Sequence, residues 1–422
     1  MKVFENPSPE IWPQLILRAQ AFEGEISAKV SEILQRVKRE GDEALFDLTE
    51  KLDGVKLTKL FLGNEEIEEY AKGVSEEVKE AIGTAISNIG KFHLAQRTSS
   101  IEVETMPGVK CSIRNLPIEK AGLYIPGGSA PLFSTVLMLG VPAKLAGCSD
   151  IILFTPPLKG GGIPAPVAYA ALTLGITSIV TVGGAQAIAA MAYGTASIRK
   201  RDKIFGPGNR YVTIAKELVS REVAIDMPAG PSELMVIADS SCNPAFVAAD
   251  LLSQAEHGAD SQVFLLSDSR DVIENVTKIT ATLMERLPRK SQAEGAMENS
   301  RAILFDNLNQ AFEFSNLYAP EHLIISTREP WQKASLVKAA GSVFIGNYSP
   351  ESAGDYASGT NHTLPTGGRA RSCSGITLDS FMHKITFQEL TAKGLQSLSE
   401  TICTMAREES LFAHEYAVKV RI

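Results

Sequence analysis

Ile151-Ile152-Leu153-Phe154 opens the stretch whose pattern decides the fold. Three further short runs follow it: Ser178-Ile179-Val180-Thr181-Val182, Lys203-Ile204-Phe205 and Glu222-Val223-Ala224-Ile225. Helical patterns at about 133–147, 165–174, 184–193 and 209–220 precede and separate them. Short β-branched runs alternating with helices are the pattern of βαβ units, in which a parallel sheet is covered on both faces. A second series begins at Leu234–Ala238 and continues through Gln262–Leu266, Ala302–Phe305, His322–Ile325 and Ser342–Ile345, again with helices between. The expected fold class is therefore α/β, with two such units. Outward from them, residues 26–52 and 64–97 carry long charged amphipathic patterns that predict helices. Beyond Ser380 the chain reads mainly helical and charged.

Composition narrows the function. The 422 residues can bury more than one core, and 44% hydrophobic with 21% charged residues is an ordinary globular balance. A net charge of -8, with no long Lys/Arg block, argues against a nucleic-acid partner. No apolar run reaches the length of a membrane span, and Met1 to Pro13 lacks the pattern of a signal peptide. Five scattered cysteines without CxxC spacing fit a reduced, cytoplasmic protein and neither a disulfide scaffold nor a cysteine-held zinc.

Three glycine-rich loops each sit after a strand: Tyr124–Pro131, Gly183–Ala187 and Gly206–Asn209. Glycines there let backbone N–H groups approach a phosphate, though each loop alone also reads as a tight βα turn. The fingerprint GxGxxG is absent. In Leu251–Gly258, Gln254 and His257 stand three residues apart at the end of an apolar helical run, so an amide oxygen and an imidazole can converge as half of a divalent-metal site. A histidine before a helix-ending glycine equally suits the helix dipole. Glu321 and His322 put a carboxylate beside an imidazole at the mouth of a strand, a candidate acid/base pair or a polar surface turn. Asp355 and His362 flank a loop of small polar residues suited to binding. His93, within a long helical pattern, reads as structural or surface.

Taken together, the blocks Tyr124–Leu132 (YIPGGSAPL), Gly183–Ala189 (GGAQAIA), Asp226–Glu233 (DMPAGPSE), Leu252–Gly258 (LSQAEHG), Ala319–Leu323 (APEHL) and Gly354–Pro365 (GDYASGTNHTLP) resemble the histidinol dehydrogenase family, in order and from about residue 25 onward. The resemblance implies a homodimer, two incomplete Rossmann-like (doubly wound) domains per subunit with helical N- and C-terminal segments, and one Zn2+ per subunit. It implies oxidation of L-histidinol to L-histidinal and then L-histidine with two NAD in succession, the last steps of histidine biosynthesis. Zinc ligands would be Gln254, His257, Asp355 and His414, which also meet the substrate. Further substrate contacts would be Ser232, His322, His362 and Glu409, with Glu321 and His322 as the acid/base pair. NAD contacts would be Tyr124, Gln186 and Asn209. In such a dimer His414 and Glu409 would reach the partner's site. The implied division is a segment 1–25, a discontinuous substrate and zinc domain (26–121 and 233–380), a cofactor domain (122–232) and a helical tail (381–422). The alternative is a related zinc/NAD enzyme oxidising another polar alcohol; a zinc hydrolase would form no NADH from histidinol, and a purely structural zinc would leave the Glu321–His322 pair without a role.

Overall fold

The structure, a computed structural model, describes residues 1–18, 23–127 and 132–422. Gly128–Pro131 of the first glycine-rich loop and residues 19–22 of the N-terminal segment therefore lie outside the described residues. The chain starts with β1 (Lys2–Glu5) and the short helix α1 (Trp12–Leu15). Four helices follow: α2 (Glu23–Glu40), α3 (Asp42–Asp53), α4 (Asn64–Ala71) and α5 (Glu76–Leu94). The two long amphipathic patterns each split, the first at Gly41, whose φ of 59 suits glycine at a break. A hairpin then forms from β2 (Ile101–Met106) and β3 (Val109–Pro117), turning at Pro107-Gly108.

The first α/β unit runs β4 (Lys120–Tyr124), α6 (Ser134–Ala146), β5 (Asp150–Phe154), α7 (Ala165–Thr173), β6 (Ile179–Val180), α8 (Gly184–Tyr193), β7 (Lys203–Phe205), α9 (Arg210–Val219) and β8 (Ala224–Ile225). Its five strands are parallel, in the order β6-β5-β4-β7-β8. Both faces are covered, as the apolar strands require. Ile67 of α4 and Ile89 of α5 share a core with α6 and α7, while Val30 and Leu34 of α2 and Leu45 of α3 share one with α8 and α9. The expected grouping of residues 26–121 with 233–380 is thus not what the packing shows for α2 to α5. Periodicity reveals that a helix has an apolar face, but not which sheet will cover it.

The second unit runs β9 (Glu233–Ala238), α10 (Pro244–Ala255), β10 (Gln262–Ser267), α11 (Arg270–Met284), α12 (Lys290–Glu298), β11 (Arg301–Leu304), α13 (Leu308–Tyr318), β12 (His322–Ser326), α14 (Pro330–Ala334), β13 (Ser342–Ile345) and α15 (Glu351–Tyr356). Six parallel strands, β1-β11-β10-β9-β12-β13, form its sheet. The N-terminal segment is therefore part of this sheet, with β1 an edge strand too short to announce itself in the sequence. The chain ends in β14 (Met382–Leu390), α16 (Ala392–Glu408) and α17 (Phe412–Lys419). The expectation of a helical tail needs correcting: β14 pairs antiparallel with β3 along nine residues. Its alternation of apolar and polar side chains, Ile385-Thr386-Phe387-Gln388, is the period of a strand. No helix among the described residues is long and apolar enough to cross a membrane.

Candidate active site

Two places gather the candidate residues, one in each unit. In the first, β4 lies at the point where the sheet order reverses, since the chain moves from β4 to β5 on one side and to β7 on the other. Ligands of open α/β sheets bind at the carboxyl ends of strands at such a point. Tyr124 is the last residue of β4, Gln186 lies in the first turn of α8 and Asn209 caps α9, its Oδ1 accepting the N–H of Val212 at 3.2 Å. All three line one cleft of about 1150 Å³. The Tyr124 hydroxyl accepts the N–H of Gly184 at 3.1 Å, and burial pushes that phenol up to about 12. Gly206 has φ +124, and a Cβ there would stand 2.1 Å from the Tyr124 carbonyl oxygen, so only glycine closes the loop onto β4. Gln186 is buried and its Oε1 has no partner among the described residues. A dinucleotide fits this cleft by size, by topology and by that waiting acceptor.

The second place lies at the amino ends of two neighbouring interior strands of the other sheet, where β9 and β12 begin. The chain leaves α13 through Ala319, at φ 55, whose N–H bonds Ser315 O at 2.7 Å, and Pro320 then leads into the strand. That geometry sets Glu321 and His322 at the start of β12, next to Ser232 and Glu233 at the start of β9. Glu321 Oε2 accepts the Glu233 N–H at 2.9 Å. His322 Nδ1 lies 3.2 Å from the Glu233 carbonyl oxygen and donates to it in the tautomer this contact selects. Its Nε2 is then the bare lone pair. This atom is buried without a hydrogen-bond partner and stands 3.8 Å from Asp355 Oδ1. Gln254 is buried in the last turn of α10, both ends of its amide unpartnered among the described residues, and His257 follows in the turn beyond.

The helix α15 packs on α10 and brings a residue the sequence reading missed. Ligand atoms of His257, Glu351 and Asp355 all lie within 4.8 Å of one another. Glu351 is four residues before Asp355 in a helix opened by Pro350, and that i, i+4 carboxylate pair was the signal available. Burial raises Glu351 and Glu321 well above the usual carboxylate range and Asp355 up to about 7. It lowers His322 to about 3 and His362 to about 4, so both imidazoles are neutral at pH 7. His362 Nδ1 contacts the Asp355 carbonyl oxygen at 3.0 Å, and its Nε2 is 3.4 Å from Thr135 Oγ1 of α6, which links the two units. The His362 loop is fastened by Asn361, which donates to Met138 O at 2.6 Å, and by Asn88, which donates to Ala357 O at 2.9 Å. His93 is structural: it is buried and bonded to Ile89 O at 2.9 Å.

The imidazole of His257 with the carboxylates of Glu351 and Asp355, and beside them the Gln254 amide and a Glu351 oxygen buried without partners among the described residues, are a donor set that fits zinc. The other two expected residues are elsewhere in the single chain. Glu409 is exposed at the end of α16, and His414 is exposed on α17, which packs on α16.

A parallel α/β molecule with a nucleotide-sized cleft at a switch point of one unit and an imidazole–carboxylate cluster in the other is, by class, a two-unit α/β enzyme. The description histidinol dehydrogenase matches residues 17–422. A histidinol dehydrogenase of Bacteroides thetaiotaomicron is 51% identical over 423 residues, covering 100% of this chain and 99% of its own. One from Aliivibrio fischeri is 50% identical, covering 100% and 96%. The crystal structure of histidinol dehydrogenase from Elizabethkingia anophelis superimposes with a TM-score of 0.97 at 51% identity, over 100% of this chain and 98% of that one. The chain belongs to the histidinol dehydrogenase family.

Proposed function

We propose that this enzyme oxidises L-histidinol through L-histidinal to L-histidine, using one zinc per subunit and two NAD in succession, at the end of histidine biosynthesis. The observation that carries the reading is the bare Nε2 of a neutral His322 beside Asp355 and Glu351, which cluster with His257, in a member of this family. Gln254, His257 and Asp355 would hold the metal, with His414 contributed by a partner subunit and Glu351 beside them. When bound, zinc supplies a fixed positive centre that orients the substrate's nitrogens, and NAD in the Tyr124–Gln186–Asn209 cleft supplies the hydride acceptor.

His322 takes the hydroxyl proton at Nε2 as the carbinol carbon loses its hydride, and its Nδ1–H remains fixed on the Glu233 carbonyl. For the second oxidation Glu321 removes a proton from water as the oxygen adds to the aldehyde carbon. Accepting the Glu233 N–H keeps it in place and favours the ionised form that this step needs, against the burial that raises its pKa. The former carbonyl oxygen takes up the proton left on His322; the hydrate then gives a hydride to the second NAD and a hydroxyl proton to Nε2 of His322, leaving the acid. Ser232, His362 and Glu409 would contact the substrate, and the His362 loop is held in place by the bonds of Asn361 and Asn88. The test is purified protein with L-histidinol and NAD+, with the product identified by mass. L-histidine formed together with NADH supports the reading, and absence of NADH from zinc-loaded protein refutes it.

A further inference from the structure

Asp53 has no role in the chemistry above, and three features make its placement costly. It is the last residue of α3, where the negative end of the helix dipole disfavours a carboxylate. Its Oδ2 is sealed from solvent with no hydrogen-bond partner among the described residues. Burial raises its pKa, the mark of an anion short of solvation. A sealed, unpartnered oxygen of this kind is a place where an occupant that carries a donor gains a hydrogen bond.

Asp53 lines the same cleft as Tyr124, Gln186 and Asn209. Beside it in that wall are Ile33, Leu48 and Leu52, an apolar surface of the kind a nucleotide base covers, while Lys29 and Lys159 on the wall supply positive charge for phosphates. Gln186, buried with an unpartnered Oε1, is a second waiting acceptor in the same cleft. An ionised carboxylate only accepts hydrogen bonds. The occupant must therefore bring donors, and the ribose hydroxyls of a dinucleotide are the donors next to a base.

We propose that Asp53 reads the ribose hydroxyls of the nucleotide whose base covers the Ile33–Leu48–Leu52 wall, and so rejects a 2′-phosphorylated cofactor. This rests on the dinucleotide reading of the cleft given above. A 2′-phosphate would replace a donor by an anion and set two negative charges against each other out of water. Asp53 is thus a specificity residue supplied from α3, outside the glycine-rich loops.

Equilibrium calorimetry on the intact protein with NAD+ and with NADP+ tests this without turnover. Wild type should bind NAD+ about tenfold or more tighter than NADP+. In Asp53→Asn, NAD+ should weaken severalfold, NADP+ should tighten, and the preference should collapse toward unity. Asp53→Ser should behave alike. Both variants should melt no lower than wild type, because they remove an unsolvated charge; a merely structural residue would lower the melting temperature. An unchanged preference in folded variants overturns the inference alone. Wild type that binds neither nucleotide overturns it together with the cleft reading.

Discussion

At the scale of single residues, two neighbours in sequence are held to different tasks by their surroundings. His322 and Glu321 share a strand end, yet burial keeps the imidazole neutral, while the Glu233 N–H counters the burial that raises the Glu321 carboxyl. His322→Asn should slow histidinol oxidation about a hundredfold or more, since the hydroxyl proton loses its acceptor. Glu321→Gln should weigh mainly on the oxidation of supplied histidinal, where water is activated. Steady-state rates on the two substrates separate these effects, and equal losses in both variants would mean that the pair acts as one unit. Asp250, one turn before Gln254 on α10, offers a stability test. Burial lifts its carboxyl up to about 7. A raised folded pKa means that the stability present below the unfolded value near 3.8 is lost as pH rises through 7. Asp250→Asn should therefore raise the melting temperature of metal-free protein by about 2 °C above pH 7. The gain should fade toward pH 4, and one equal at both ends of that range would contradict the burial argument.

At the scale of elements, α15 shows why part of the site was hidden. Its six residues deliver both Glu351 and Asp355 to α10, and Glu351 is buried although it is charged in sequence. Glu351→Gln should leave the fold intact and weaken zinc retention about tenfold to a hundredfold, as loss of a supporting group does. Chelator competition measures it, and unchanged retention would remove Glu351 from the metal's surroundings. The sequence revealed the strands of both parallel units nearly to the residue, because buried parallel strands read as unbroken apolar runs. Lys203–Phe205 and Ser342–Ile345 fall where the pattern puts them. It did not reveal β1 or β14. The first is four residues long, and the second is exposed on both faces over most of its length, so neither carries an apolar run. His257 and Asp355, which the structure brings together, stood out as candidates because each lies in an unusual segment. The bare lone pair of His322 was not legible, since it depends on a carbonyl contributed by β9.

At the scale of the whole molecule, the single chain leaves Glu409 and His414 exposed on its terminal helices, while the cluster they are expected to serve lies at α10 and α15 of the second unit. Exposed Phe412, Tyr416 and Val420 accompany His414 on α17 and its end. Exchange of this tail between two subunits would satisfy both facts. A mixed dimer of one His322→Ala chain and one His414→Ala chain should then regain about half of wild-type activity, because one site collects both defects and the other none. Verified mixed dimers without activity would mean that His414 serves its own chain. The central claim is that one site carries out both oxidations, alcohol to aldehyde to acid. The most direct measurement is the yield of NADH at the completion of a limiting amount of L-histidinol. Four electrons leave the substrate and each nicotinamide accepts one hydride, so about two NADH should form per histidinol, with histidine as the product. A yield of one, with free histidinal accumulating, would contradict the account.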